Sequence, residues 1–83
     1  MAPLDPSTVS SREELSDFLS DLARRIDAGG IDLENPSTSR YIGAAAGWTA
    51  DLEGFFMNRG EPVPEVPSWS LVASIFLAAT VYE

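Results

Sequence analysis

The sequence predicts an all-α domain, a small three-helix bundle with a proline-rich strap before a buried C-terminal helix. Two observations carry this. Apolar residues recur at helical spacing in three separate windows, and residues suited to capping stand at their starts. The 83 residues divide into a flexible N-terminal lead over 1–9 and a single helical domain over 10–83. Pro3, Pro6 and small polar residues set the lead apart, because they oppose regular structure.

The first helix is expected over 11–28. Ser11 with Glu14 three positions on is a capping box. Leu15, Phe18, Leu19, Leu22, Ala23 and Ile26 then form one apolar stripe. Gly29-Gly30 supplies a left-handed C-terminal cap. Acids lead and Arg24 and Arg25 close, which suits the helix dipole. Glu13, Asp17 and Asp21 follow one another at four-residue steps on the outer face, with Glu14 beside them. Like charges so spaced cost about 0.2–0.5 kcal/mol per pair. This face is either simply solvated or a docking stripe for a basic partner.

Ile31 and Leu33 in the following link are expected to tuck back onto the core. Asn35-Pro36 is a helix start, with Asn as N-cap and Pro in the first turn. The second helix is expected over 36–53, with Tyr41, Ile42, Ala45, Trp48, Thr49 and Leu52 inward. The small residues 43–47 favour close packing against the C-terminal helix. Gly54 is expected to stop this helix, with a short turn or helical piece near 54–59. Phe55, Phe56 and Met57 cannot all face inward: either a helical turn buries two of them or one is exposed.

Glu61-Pro62-Val63-Pro64-Glu65-Val66-Pro67 is expected to run extended as a strap, with Val63 and Val66 inward. The closing helix is expected over 68–82, capped by Ser68. From Val66 to Tyr82 the chain has no formal charge, against −8 for the whole. Trp69, Val72, Ala73, Phe76, Ala78 and Ala79 fall at helical spacing, and Leu71, Ile75 and Tyr82 extend the apolar surface to a second side. A helix apolar over so much of its circumference must be covered on more than one face. It is too short for a membrane span, which needs about 20 apolar residues. Glu83 at the negative end of its dipole calls for a nearby cation, with Arg40 or Arg25 as candidates.

Composition excludes much chemistry. There is no Cys, so neither a disulfide nor a thiolate metal site is available. There is no His to act as a neutral-pH base or metal ligand, and no Lys for Schiff-base chemistry. The expectation is a protein without catalytic activity, cofactor or metal. Thirteen acids against five arginines argue against nucleic acid and anionic membranes. The lead lacks the basic and apolar regions of a signal peptide, so a cytoplasmic setting is expected.

Asn35, Tyr41-Ile42, Trp48, Asp51, Gly54-Phe55-Phe56, Asn58, Pro64, Pro67-Ser68-Trp69, Ala78-Ala79 and Val81-Tyr82-Glu83 form an ordered pattern. The pattern resembles the DUF7660 family, small acidic bacterial proteins of unknown function, over residues 11–83. Leu33 stands where that family is expected to carry Trp, and Gly43 where Glu is usual. The family has no established activity, so the resemblance carries over no catalytic residues.

The leading functional expectation is a non-enzymatic protein-interaction module that binds a partner, a basic one on charge grounds, through Glu13, Glu14, Asp17 and Asp21. One alternative is a small-molecule or cation-binding pocket around Trp48, Asp51, Phe55, Asn58, Trp69, Tyr82 and Glu83. Another is a homodimer, which predicts that Leu71, Ile75 and Tyr82 stay partly exposed in a monomer.

Overall fold

A computed structural model describes residues 3–34 and 36–82. Those residues form a 3-10 turn, Pro6–Thr8, and four α-helices with no strand: α1 (Arg12–Asp27), α2 (Thr38–Ala50), α3 (Leu52–Asn58) and α4 (Trp69–Ala78). The fold is all-helical, with one more α-helix than the expected three. The 3-10 turn, α1 and α2 all pack on α4.

Both ends of α1 are closed by its own sequence. Ser11 Oγ accepts from the Glu14 N–H at 3.1 Å. Glu14 reaches back one residue beyond the cap, accepting from the N–H and hydroxyl of Ser10 at 3.1 and 2.6 Å. Gly29 takes φ +77°, and the N–H groups of Gly30 and Gly29 return to Arg25 and Ile26 carbonyls at 2.9 and 3.1 Å. That is a Schellman cap. Phe18 and Leu22 are buried and Leu15, Leu19 and Ile26 half-buried, while Ala23 lies outside the covered stripe.

The N-terminal lead is packed into the domain. Val9 is buried with Phe18, Leu22 and Ala73, and Leu4 rests against that cluster. Asp5 caps the 3-10 turn, its carboxylate accepting from the Ser7 N–H and hydroxyl at 3.0 and 2.6 Å. Its apolar residues therefore overcome the prolines that argued for a loose segment.

Helix α2 begins at Thr38, two residues later than expected, because Ser37 Oγ caps it by accepting from the Arg40 N–H at 3.2 Å. Asn35, the expected cap, lies outside the described residues. The covered side of α2 is Tyr41, Ala44, Ala45, Gly47 and Trp48, and Ile42 and Thr49 face solvent. The expected stripe is thus rotated. The reason is at its two ends: the Tyr41 hydroxyl donates to the Phe76 carbonyl at 2.6 Å, and Gly47 receives the Tyr82 ring. Gly43 has no such role, since a Cβ there meets nothing within 4 Å.

The helix breaks at Asp51, not at Gly54, which sits inside α3. Within α3 Phe56 is buried, Phe55 half-buried and Met57 exposed. Gly60, at φ +68°, follows its end. The segment 61–67 is exposed throughout, Val63 and Val66 included, with a bend at Glu65-Val66. Three prolines fix φ along it, which leaves little freedom to lay both valines on the core.

Ser68 Oγ caps α4, accepting from the Leu71 N–H at 3.0 Å. The helix is shorter than expected: turns over 79–81 follow Ala78, and the Glu34 N–H bonds the Thr80 carbonyl at 2.9 Å. Leu71, Ala73, Ala79 and Thr80 are buried, but Trp69 and Phe76 are exposed. Leu71 does not belong to an open face, contrary to the homodimer expectation, and Ile75 and Tyr82 are half-buried. Glu83 lies outside the described residues, and with it the expected pairing to Arg40 or Arg25. Arg25 bonds Asp21 at 3.0 Å.

Candidate functional site

The expected pocket residues gather, in part, at the C-terminal end of α2. Trp48 and Phe55 pack edge to face with ring centroids 5.2 Å apart, and Phe55 meets Phe56 in the same way at 5.1 Å. The Arg59 guanidinium sits 5.3 Å from the Phe55 centroid. The helix break turns Asp51 toward the C-terminus, where its carboxylate accepts from the Tyr82 hydroxyl. That hydrogen bond, then burial and the Asp51 charge, push the Tyr82 phenol above its ordinary value. Asn58 closes α3 and Trp69 opens α4, and both are exposed. Glu83 lies outside the described residues.

This arrangement ties the end of α2 to the segment after α4. Asp51 spends its charge on Tyr82, and Trp48 spends one edge on Phe55. No three carboxylates among the described residues stand close enough to hold a metal ion.

The acidic face of α1 is more open. Glu13 pairs with Arg12 at 3.1 Å, and Asp21 with Arg24 and Arg25 at 2.9 and 3.0 Å. The Ser10 hydroxyl and N–H hold the Glu14 carboxyl below the usual carboxylate range. Asp17 is exposed. Glu14, Asp17 and Asp21 line one wall of a cleft of about 570 Å³ whose other wall is the lead, with Pro3, Asp5 and Thr8. Leu4, Val9 and Phe18 add apolar surface, and Arg25 also reaches the cleft. Glu13 belongs to a separate hollow with Arg12, Ser16 and Asp17.

Asp5 is the member that the sequence reading missed. The signal was present: Asp5-Pro6-Ser7-Thr8 repeats the capping-residue-then-proline form of Asn35-Pro36-Ser37-Thr38. The Ser7 hydroxyl and N–H hold the Asp5 carboxyl below its ordinary value. A carboxylate so held stays ionised to lower pH.

The sequence matches a family of unknown function, DUF7660, over residues 11–83. The chain belongs to this family. No curated protein and no solved structure matches it. The DUF7660 match takes in α1 and its acidic wall, the Asp51–Tyr82 tie and α4. It begins after Pro3, Leu4, Asp5, Thr8 and Val9, so the lead's side of the cleft lies outside the matched span. No helix among the described residues is long and apolar enough to cross a membrane.

Proposed function

We propose that this DUF7660 chain is a non-enzymatic protein-interaction module that takes a basic segment of a partner protein into the cleft between its lead and α1. One observation carries the reading: four carboxylates, Asp5, Glu14, Asp17 and Asp21, surround apolar Leu4, Val9 and Phe18 and face one guanidinium, Arg25. Lys and Arg have this shape, an aliphatic stem with a charged head. Their stems match the apolar lining and their heads the carboxylates. The overall charge of −8 favours encounter with a basic partner. The proposed setting is the bacterial cytoplasm, in keeping with a chain free of cysteine. The end of α2 is the weaker candidate for a basic segment, because among its expected and described residues only Asp51 carries a charge, and Tyr82 engages it.

The test is fluorescence anisotropy with labelled peptides that alternate Arg or Lys with Leu, against matched peptides carrying Glu, at low and high salt. Binding is expected only for the basic peptides, weakening as salt screens the charges. Asp17→Arg is expected to lose roughly tenfold in affinity, about 1.4 kcal/mol. Equal binding by Asp17→Arg, or no binding by any basic peptide, overturns the reading.

A further inference from the structure

We infer, taking the cleft of α1 and the lead as the seat of a basic segment, that Arg25 is its built-in gate. The Arg25 guanidinium holds Asp21 in the resting protein and yields that carboxylate to the arginine or lysine head of the partner.

Of the five arginines, Arg25 alone is not exposed. Its side chain is 14% exposed, against 74% for its neighbour Arg24. It stands in the last turn of α1 and lines the cleft with Asp5, Glu14, Asp17 and Asp21. Its Nη2 pairs with Asp21 Oδ2 at 3.0 Å. Its Nε is buried and has no hydrogen-bond partner among the described residues. A buried N–H without an acceptor is costly, and more so on a charged group. The cleft thus already holds a cation of the kind it is suited to take, and holds it imperfectly.

Asp21 does not depend on Arg25. Its other oxygen, Oδ1, accepts from Arg24 Nη2 at 2.9 Å. Arg24 is not among the residues that line the cleft. When Arg25 turns away, Asp21 therefore keeps one cation and its Oδ2 is freed. The long stem of Arg25 lets its head reach water while the methylenes stay against the protein. One cationic head then replaces another on the same carboxylate, so the two pairings nearly offset each other. The Nε regains a partner in water, which favours the exchange. A neutral or acidic segment brings nothing to replace Arg25 on Asp21. The gate therefore adds discrimination against such segments to the attraction of the carboxylates for basic ones.

Anisotropy with the labelled peptide that alternates Arg with Leu is the test, on the full chain, its Arg25→Met variant and its Arg24→Met variant. Each variant removes one positive charge and one contact to Asp21, so the long-range field changes alike in both. Methionine keeps most of the aliphatic stem, and Asp21 keeps the other arginine. Arg25→Met is expected to bind the peptide about tenfold tighter than the wild type, and Arg24→Met within about twofold of it. The Arg25→Met gain is expected to persist at high salt, because a pair that is largely buried is screened less than an exposed one. If Arg25→Met loses its helical circular dichroism, Arg25→Gln takes its place. Equal gains in the two variants, or a folded Arg25 variant that binds no tighter than the wild type, overturn the inference and leave the basic-segment reading standing. No binding by the wild type or by either variant removes both.

Discussion

The ring of Tyr82 occupies the space that a side chain at Gly47 needs: a Cβ built on Gly47 stands 2.8 Å from Cε2 of Tyr82. The hydroxyl of the same ring donates to Asp51, so the ring is held at both ends. Glycine is required at 47 by this contact rather than by a backbone angle.

Gly47→Ala and Gly43→Ala should therefore have opposite signs. Both lie inside α2, where alanine is favoured over glycine by about 1 kcal/mol. At 43 nothing stands within 4 Å, and the gain is expected in full. At 47 the ring must move and strain its bond to Asp51, and a net loss of about 1 kcal/mol is expected. Urea denaturation of the two variants measures both.

The Tyr82–Asp51 bond sets an alkaline limit. Hydrogen bonding to Asp51 raises the Tyr82 phenol, and burial raises that of Tyr41. A group whose pKa is higher folded than unfolded supplies stability that is complete below the unfolded value and lost as pH climbs through the folded one. Stability is thus expected to fall above about pH 10. Tyr82→Phe should lower the denaturation midpoint at neutral pH and flatten the alkaline decline, read by circular dichroism melts.

The acid limit has the opposite sign. Hydrogen bonds from Ser7 and Ser10 lower the carboxyls of Asp5 and Glu14. Their contribution is present above the unfolded values and lost as pH falls through the folded ones, below about pH 4. Glu14→Gln should make the acid limb shallower. Ser11→Ala removes the α1 cap and is expected to cost about 1 kcal/mol at neutral pH.

Removing buried side chains tests the lead. Val9 is as deeply set as the α1 residues it touches. Val9→Ala is expected to cost about 1.5 kcal/mol at about 0.8 kcal/mol per methylene, and Leu22→Ala about 2–5 kcal/mol. Deleting residues 1–9 should destabilise by more than Val9→Ala alone. An unchanged melting temperature on deletion contradicts the packed lead.

Much of the architecture was legible because it is local. The cap at Ser11, the stripe through Phe18 and Leu22, the Gly29 stop and the Ser68 cap depend on residues within a few positions of one another. The uncharged run from Val66 to Tyr82 pointed correctly to a central helix. Of the candidate site, the four-residue spacing of the acids on α1 was legible in the sequence, and Trp48 was grouped with Phe55 through the family pattern. Neither the lead's side of the cleft nor the tie between Asp51 and Tyr82 was.

The sequence by itself determined that the chain is helical, where two helices begin, at the Ser11 and Ser68 caps, which stretch is apolar enough to be the hub, and that Cys, His and Lys chemistry is absent. Tertiary structure decided the rest. It turned α2 so that Ala44 rather than Ile42 is buried, broke the chain at Asp51, seated Val9 in the core and left Trp69 and Phe76 in solvent. Periodicity says that a helix has an apolar side. The angle at which that side settles depends on which distant residue reaches it first, and here Tyr41 on Phe76 and Tyr82 on Gly47 set it.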